Sequence, residues 1–442
     1  MNNKFLIFRW KYKHRTLIVL CIAFIVGAST LTQWSAQTLT EQVKSVESFI
    51  DSIGVAVHLN YGDTAYRQYE EIVKPRLIEL GVHHIRGGVN PKDEKTLDKF
   101  RDLGEIGIKS TIVMDPRRIS NPSQAIQMAK ELEGSIEAVE GPNEWDINPE
   151  LQYKGFHFPE GVRLFQEELY AQIKADSATA HLDVLSPSLA RPQRASQLGR
   201  VACDVGNMHS YAGGKKPSQK LDKKWIQSAR IVCNRRLIIA SECGYHNALN
   251  KPPNGHQLGV SELASAKYMM RLFFEYFNRR IKRAYSYELI DLKPNNKKDK
   301  PNLNYGLLRV DGQPKSDFMA VRNLIRVLRN QEQDNSDSVV PAPLKYRLIG
   351  DLKNIHHTLL HGGKGIYDLV LWQEVNSFDL QKNKDINVPS QKIQVAFEQE
   401  IEQALTYLPL YSEVQRESFF QVNTLDLNVP DHPLIVQLLI EE

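Results

Sequence analysis

Cysteine is scarce in this chain, which has 442 residues and only 4 cysteines. Cys21 lies in an apolar run near the N-terminus, so three cysteines remain for the rest of the chain, and three cannot all pair. None of them stands at a Cys/His spacing typical of a metal site. Oxygen ligands are not clustered in a recognisable calcium-binding loop either. The sequence therefore predicts no metal centre.

A glycine-rich phosphate-binding fingerprint is absent as well. The first strand-like run ends in VHLNYGD, residues 57–63, without the glycines that usually follow the first strand of a doubly wound sheet. This absence argues against an open dinucleotide-binding sheet, which stays as the alternative fold, and we expect no organic cofactor. No internal repeat or low-complexity tract is evident.

Acidic residues are absent before Glu41, and the same segment begins with five basic residues, Lys4, Arg9, Lys11, Lys13 and Arg15. An apolar run from Leu17 to Ala28 follows, and this order is typical of a secretory signal. Residues 1–36 are therefore predicted to be a signal peptide that ends at Ala28 or Ala36. An uncleaved membrane anchor is the alternative, because the run extended to Trp34 approaches the ~20 residues that cross a bilayer.

Both interpretations of this segment predict export. The basic flank of an apolar segment stays in the cytoplasm, so the rest of the chain would be secreted, periplasmic or membrane-anchored outside it. The segment also accounts for the charge, because the chain carries +4 and loses five positive charges without it, which leaves −1. The net positive charge thus gives no indication of nucleic-acid binding, and we expect no nucleic-acid partner.

Apolar strand-like runs alternate with segments of helical period from residue 53 onwards. Eight such runs occur, at 53–58, 82–87, 109–114, 136–141, 182–187, 205–210, 237–242 and 283–289. Eight β-α units predict an α/β fold, a (β/α)8 TIM barrel within residues 50–330. After the polar stretch QEQDNSDS, shorter alternating runs predict a C-terminal antiparallel β-sandwich domain over 338–442. Residues 40–50 are expected outside the barrel, against this second domain.

Polar side chains stand where the predicted strands end, and reactive groups of a TIM barrel lie at those ends. In chain order these residues are His58, Arg86, Asn143, Glu144, His209, Tyr211, Glu242, Tyr287 and Glu288. Glu144 follows the fourth strand and Glu242 ends the seventh, so they come from nearly opposite sides of the ring. Two carboxylates that face one cavity are what glycoside hydrolysis requires.

Two of these segments carry a family resemblance. GPNEWD at 141–146 and IIASECGY at 238–245 resemble the clan of retaining glycoside hydrolases built on (β/α)8 barrels, which has an Asn-Glu pair after strand four and a Glu on strand seven. HIRGG and NMHSY resemble its segments after strands two and six. The layout resembles the branch that contains β-xylosidases and exopolysaccharide endoglycosidases. The clan usually has Trp at the end of strand eight, where this chain has Tyr287, so the substrate is in doubt.

The resemblance implies a role for each residue in a double displacement. Glu242 would be the nucleophile, kept charged by Arg86 and Tyr211. Glu144 would be the acid/base, with its pKa raised by the apolar wall of Trp145 and by the charge of Glu242. Asn143 would bind the 2-hydroxyl of the sugar. His58, His209 and Tyr287 are further substrate-binding candidates, although both histidines could instead be buried core residues.

Other interpretations stay open at this point. Glu140 is the second choice for the acid/base, and Glu288 is expected to point away from the cavity because neighbours on a strand alternate. Trp372 is expected in the core of the β domain rather than at the cleft. A non-catalytic carbohydrate-binding barrel is one alternative, for which the loss of a carboxylate would be the sign, and neither is lost. A transglycosylase is another, and it would carry the same residues. The predicted function is a retaining glycosidase that acts on a polysaccharide or oligosaccharide.

Two further expectations concern the exported part. Cys203 precedes the sixth strand and Cys233 follows the sixth helix, so both would lie at the N-terminal end of the barrel, where export permits a disulfide. Cys243 would stay a free thiol. The loops on the active face carry many cations, which suggest an anionic substrate unless they are merely solvated. The arginines among them are Arg117, Arg118, Arg191 and Arg194.

Overall fold

The computed structural model describes residues 35–39, 43–119, 121–234, 237–250, 257–329, 344–363 and 365–441. All but the last two residues of the predicted export segment, and all of the polar stretch 331–338, lie outside these ranges. Within them, no helix is both long enough and apolar enough to cross a membrane. Whether residues 1–36 are a signal or an anchor therefore stays a prediction.

Two short strands and a helix precede the barrel: β1 (Ser35–Leu39), β2 (Lys44–Ser45) and α1 (Val46–Asp51). β1 runs antiparallel to residues 346–350, and β2 runs parallel to residues 360–361, so both join the C-terminal sheet. Ala36 lies within β1, so cleavage after Ala36 would cut this strand. The sequence pattern did not predict β1, because the segment was assigned to the export signal.

Eight parallel strands form the barrel: β3 (Ile53–Val57), β4 (His84–Gly88), β5 (Lys109–Val113), β6 (Ile136–Glu140), β7 (Asp183–Leu185), β8 (Gly206–Ser210), β9 (Ile238–Cys243) and β10 (Ile281–Ser286). Each pairs with its neighbours in chain order, β3 pairs with β10, and a bridge between Leu185 and Val205 closes the ring. The predicted (β/α)8 barrel is confirmed, with each strand within a few residues of its predicted position.

One helix follows each barrel strand, in the order α2 (Lys74–Leu80), α3 (Glu94–Glu105), α4 (Pro122–Glu131), α5 (Glu160–Ala175), α6 (Ala195–Leu198), α7 (Gln227–Val232), α8 (Glu262–Asn278) and α9 (Ser316–Arg329). Short polar side chains begin several of them. Asp93, Asn121 and Ser261 each accept a hydrogen bond from a backbone N–H of the first turn. Such caps satisfy donors that have no partner inside the helix and so fix where it starts.

The C-terminal region is antiparallel, as predicted. Its strands are β11 (Tyr346–Gly350), β12 (Ile355–Gly363), β13 (Ile366–Gln373), β14 (Phe378–Asp379), β15 (Lys384–Asp385), β16 (Gln391–Tyr407), β17 (Glu417–Val429) and β18 (Leu434–Leu439). β16 pairs first with β11 and, beyond an irregularity between Ala396 and Ile401, with β18. Both halves of the sheet contribute apolar side chains to one core, as in a β-sandwich.

The opposite face of this region packs on the barrel. Along β12 and β13, Leu359, Leu369 and Leu371 lie in the sandwich core, whereas their neighbours Leu360, Val370 and Trp372 join the barrel core. This split follows from the two-residue period of a strand. Trp372 stacks on Phe274 of α8, with ring centroids 5.3 Å apart. It is therefore buried between the two regions, away from the cleft.

Helix α8 is buried on nearly every side because it lies between the barrel and the sheet. The Arg271 guanidinium is fully buried and donates to the backbone oxygens of Gln373 and Val375 at 2.5 and 2.9 Å. One turn further on, a carboxylate oxygen of Glu275 accepts from the Trp372 indole at 3.0 Å. Because a buried charge without partners is costly, these bonds fix the β region against the barrel.

The N-terminal end of the barrel is closed by covalent and ionic contacts. Cys203 and Cys233 form the predicted disulfide, with Cα atoms 6.2 Å apart, and Cys243 is a buried free thiol, as expected. Nearby, Arg283 bonds Asp51 and Glu137, and the His84 ring lies between the same two carboxylates, at 2.6 and 2.8 Å. We call these four residues, Asp51, His84, Glu137 and Arg283, the N-terminal cluster.

Candidate active site

Arg86 is the centre of a polar cluster at the C-terminal ends of the barrel strands. Its guanidinium donates to both oxygens of Glu140 at 2.9 Å, to Glu242 at 2.5 Å and to the Asn143 side chain at 2.7 Å. Burial disfavours its charge, yet the two carboxylates raise its pKa above the ordinary value. Arg86 therefore links strands two, four and seven of the barrel, as the positions of these residues predict.

Glu140 is the partner of Arg86 rather than a second acid. It is fully buried on strand β6, and burial alone would raise its pKa. The charges of Arg86 and of His209, whose Nε2 lies 3.7 Å away, outweigh that effect and lower the pKa to about 2. A carboxyl group that stays ionised at every working pH is unsuited to donating a proton.

Glu144 stands on a tight turn directly after β6. Its backbone is in the left-handed region, at φ 53° and ψ 41°. The turn is fixed by Asp115, a buried residue after β5, which accepts from the backbone N–H of Asn143 at 2.9 Å. Gly141 is required here, because a side chain would collide with the Gln166 amide. The strain is consistent with a residue held in place for function.

The structure corrects the role predicted for Trp145. The indole is only 2% exposed and lies in the barrel core, and its N–H donates to Asp115 at 3.2 Å. It supports the turn from beneath and has almost no surface to offer a substrate. Asp115 was missed by the sequence reasoning. Its place directly after the third predicted strand was the only signal that could have indicated it.

His209 lies between the two predicted catalytic carboxylates. Its Nδ1 is 2.7 Å from Glu144 and 3.5 Å from Glu242, and its Nε2 is 3.1 Å from the Ser241 hydroxyl. Burial alone would lower its pKa, but Glu242, Glu140 and Glu144 raise it to about 10. The ring is fully buried. It therefore positions the carboxylates. The predicted direct contact between His209 and the substrate is not supported, because the ring has no exposed surface.

The pKa of Glu144 is lowered, whereas the sequence predicted that it would be raised. Burial does raise it, but the hydrogen bond and the charge of His209, followed by the charge of Arg86, have the larger combined effect. At neutral pH the proton is therefore held by His209. Because the two groups are within hydrogen-bond distance, they act as one pair that shares a proton.

Glu242 is held by two donors on opposite oxygens. Arg86 donates to one, and the Tyr211 hydroxyl donates to the other at 2.8 Å. The carboxylate is 11% exposed and that of Glu144 23%, so both are accessible from the barrel opening. One oxygen of each, together with a ring nitrogen of His209, lies within 4.8 Å of the others. A metal ion placed there would compete with Arg86 for the Glu242 carboxylate, and the positive charge of Arg86 would repel it.

His58 and Tyr287 follow the first and the eighth strand of the barrel and lie next to each other. The Nε2 atom of His58 is 3.2 Å from both the Tyr287 hydroxyl and the Glu288 carboxylate. Burial lowers the pKa of His58 to about 3, so the ring is neutral. Glu288 is fully buried behind it against Tyr66, and burial raises its pKa well above the usual range. As expected, Glu288 does not face the cleft.

A third tyrosine, Tyr305, completes an aromatic wall beside Glu242. Its ring centroid is 5.7 Å from that of Tyr211 and 5.4 Å from that of Tyr287, both edge to face. The opposite side of the ring contacts His246 at 5.0 Å. The sequence reasoning missed Tyr305, because it lies in the long loop after the eighth strand, 18 residues beyond Tyr287.

The basic loops are partly neutralised. Arg117 is bound at two points by Asp115 and donates to the backbone oxygen of Asn143 at 2.9 Å. Arg194 lies over the Phe158 ring at 5.9 Å, and Arg191 is exposed. Of the lysines, Lys216 donates to the Glu374 backbone and Lys293 pairs with Asp63. The bond to the Asn143 backbone holds Arg117 beside the turn that carries Glu144.

Comparison with known proteins identifies the fold. No protein-family model matches the chain, and no curated protein matches its sequence. Among solved structures, a family 39 glycoside hydrolase from Bacteroides cellulosilyticus WH2 has a TM-score of 0.56 at 14% identity, over 91% of this chain and 83% of that one. The GH39 enzyme from Xanthomonas axonopodis pv. citri has a TM-score of 0.54 at 12% identity, covering 90% and 96%.

A glucosidase from Croceicoccus marinus also has a TM-score of 0.56, at 9% identity, over 92% of this chain and 99% of that one. These matches extend over nearly the whole length of each chain, so the barrel and the β region occur together in all of them. At such low identity, the likeness shows a shared architecture and nothing about the reaction. The activity must therefore be argued from the site itself.

Proposed function

We propose that the protein is a retaining glycoside hydrolase that cleaves a polysaccharide or oligosaccharide outside the cytoplasm. The observation that carries this proposal is that one carboxylate oxygen of Glu144 lies within 4.8 Å of one carboxylate oxygen of Glu242, at the open end of the barrel. Retaining glycosidases hold their carboxyl groups ~5–5.5 Å apart, whereas inverting enzymes leave ~6.5–9.5 Å for a water molecule. The family branch suggested by the sequence is part of the same proposal.

In the first step Glu242 attacks the anomeric carbon. A bond forms between its oxygen and that carbon, and the bond to the leaving oxygen breaks as Glu144 supplies a proton. Arg86 and Tyr211 hold Glu242 in the charged form and in a fixed orientation. The proton comes from the pair of Glu144 and His209, which lie 2.7 Å apart. The product is a covalent glycosyl-enzyme.

In the second step water releases the sugar. Glu144, now a carboxylate beside neutral His209, accepts a proton from the water as the water oxygen bonds to the anomeric carbon, and this proton restores the one that the pair shares. The ester bond to Glu242 breaks, and the carboxylate returns to its donors. Asn143, held by Arg86 through its side-chain oxygen, has its amide N–H group available for the 2-hydroxyl of the sugar.

An anionic substrate is the second part of the proposal. The guanidinium of Arg86 is already used by three acceptors, so Arg86 is not free to bind an acidic group of the sugar at Glu242. Arg117 is fixed in orientation beside Glu144, where the leaving group would lie. An acidic group on the substrate therefore fits best on that side, with Arg191 and Arg194 as further candidates along the same face.

The activity can be tested with a panel of aryl α- and β-glycosides and of neutral and acidic polysaccharides. We expect at least one to be cleaved by the protein and not by Glu242→Gln. Proton NMR of the first product should show the anomeric configuration of the substrate, and inversion would contradict the proposal. At low salt, removing the carboxyl groups of an acidic polymer should slow its cleavage, because the attraction to the basic loops is lost. The difference should shrink as salt rises, because salt screens attraction between surface charges.

The same assay separates the two alternatives. A carbohydrate-binding barrel would bind members of the panel without releasing product, and a transglycosylase would give longer products when a sugar acceptor is added. We place hydrolysis first, because both carboxylates and the donors that orient them are present in the site.

A further inference from the structure

The hydroxyl group of Tyr305 stands out within the aromatic wall. The Tyr211 hydroxyl donates to Glu242, and that of Tyr287 is 3.2 Å from His58. Among the residues that the structure describes, none forms a hydrogen bond with the hydroxyl of Tyr305. Yet the residue is only 7% exposed. The hydroxyl oxygen is not one of the fully buried side-chain atoms that lack a partner, so solvent reaches it. A polar group that meets solvent at the active-site opening and has no protein partner is available to a ligand.

The backbone around Tyr305 is fixed on both sides. Its carbonyl oxygen accepts from Glu288 at 3.3 Å, and the next residue, Gly306, donates to the Asp291 carboxylate at 2.8 Å. A side chain at Gly306 would collide with the backbone of Asp291, so this close approach needs glycine. Leu307 and Leu308 continue the pairing with residues 288 and 289. These hydrogen bonds fix the backbone of the loop on both sides of Tyr305.

The position of the ring directs it to the reacting sugar. Tyr305 contacts Tyr211, which bonds the predicted nucleophile, and Tyr287, whose hydroxyl is 3.2 Å from His58. Burial and then the charges of Glu242 and Glu144 raise its pKa, so the hydroxyl keeps its proton and lies near both carboxylates. The ring therefore borders the space in which a sugar must sit if Glu242 is to attack it.

We propose that Tyr305 is a specificity-determining residue whose hydroxyl donates a hydrogen bond to a hydroxyl group of the sugar bound at Glu242. This inference rests on the proposed glycosidase function. Asn143 is assigned to the 2-hydroxyl, so the group bound by Tyr305 is a different one. A loop after the eighth strand thus supplies a sugar contact that the strand ends do not provide.

The test compares Tyr305→Phe with the full-length wild-type protein on the best aryl glycoside of the panel. Phe keeps the ring and its packing and removes only the hydroxyl. We expect kcat/KM to fall about tenfold, the loss of one buried hydrogen bond, with an unchanged thermal midpoint. Tyr153→Phe is the matched control, because that hydroxyl bonds Glu168 on the outside of the barrel, and its kinetics should equal those of the wild type.

Deoxy sugars identify the partner. Aryl glycosides that lack the 3-, 4- or 6-hydroxyl should each be tested with both proteins. For one of them the wild type and Tyr305→Phe should become equal, because the hydroxyl that the tyrosine binds is gone. For the others the difference of about tenfold should persist. A packing role alone would leave Tyr305→Phe at wild-type rates and lower only Tyr305→Ala, and that result would overturn the inference.

The outcomes also separate this inference from the proposed function. Cleavage that depends on Glu242, with equal kinetics for wild type and Tyr305→Phe, would leave the glycosidase proposal standing and refute the role of Tyr305. If no glycoside is cleaved, calorimetry with the free monosaccharides of the panel decides. Binding that Tyr305→Phe weakens would support the sugar contact without catalysis. If no sugar is bound, both proposals are wrong.

Discussion

The two ends of the barrel carry ionic clusters made from the same kinds of side chain. At the N-terminal end, one arginine and one histidine face two carboxylates, those of Asp51 and Glu137. At the C-terminal end, Arg86 and His209 face three, those of Glu140, Glu144 and Glu242. The C-terminal cluster therefore keeps an excess of negative charge even when both of its basic groups are protonated.

That one additional carboxylate separates a structural cluster from a reactive one. A cluster with as many basic as acidic groups has no built-in excess of one charge, and it joins strands together. An unbalanced cluster that opens to a cleft can stabilise positive charge on a ligand, and glycosidic bond cleavage passes through an oxocarbenium-like state. The aromatic wall of Tyr211, Tyr287 and Tyr305 excludes water beside Glu242, which strengthens such electrostatic effects. Ionic residues at a strand end thus indicate a site only when their charges do not cancel.

Replacing Glu242 with Gln should have the largest effect on this contrast. We expect turnover to fall by roughly 10⁴-fold or more, the loss typical of removing the acting group of a catalytic unit. Glu137→Gln, which makes the same change in the N-terminal cluster, should leave turnover per folded molecule unchanged. Steady-state kinetics on one substrate would compare them. Equal losses in both variants would contradict the division between the two ends.

Glu144→Gln should have the next largest effect. General acid catalysis contributes about 10²–10⁴-fold, so cleavage of an unactivated glycoside should fall by that range. An aryl glycoside with an acidic leaving group should suffer less, because its oxygen departs without a proton. Comparing the two substrates would measure the difference. The assignment would fail if the loss were the same for both leaving groups.

Breaking the N-terminal cluster should affect stability and not activity. Arg283 is 3% exposed, and Arg283→Met would leave Glu137 and Asp51 without their cation. We expect a loss of about 3 kcal/mol in the free energy of unfolding, the lower end for a broken buried pair. Arg101→Met removes an exposed arginine that pairs with Glu94 and Asp98, and it should cost less than about 1 kcal/mol. Denaturant unfolding and activity assays would check both.

The smallest effect concerns pH. His209 has a folded-state pKa of about 10 against an ordinary value of 6.5. A raised pKa gives stability that is complete below the unfolded value and is lost as the pH rises through the folded value. The advantage in thermal midpoint of the wild type over His209→Gln should therefore shrink by about 2 °C or more between pH 6.5 and pH 10. An advantage that is constant or grows over this range would show that His209 is neutral in the folded protein.

Much of the fold was predictable from the sequence because its causes are local. A period of two residues or of 3.6 is a property of adjacent positions, and the order of eight strands and helices then leaves few topologies. In a parallel barrel the carboxyl ends of all strands meet at one opening, so chain order alone brought Arg86, Glu144, Glu242 and His209 together. The disulfide between Cys203 and Cys233 followed from the same reasoning.

What only the tertiary structure decided is how deeply each side chain is buried and which charges surround it. Trp145 follows Glu144 in the chain, yet it points into the core because Asp115 on the neighbouring loop binds its indole. The pKa of Glu144 falls because His209, 65 residues away in the chain, lies 2.7 Å from it. Tyr305 reaches the nucleophile through a loop with no periodic pattern. Burial and electrostatic interactions depend on neighbours in space, and a linear pattern encodes those only where strand order fixes them.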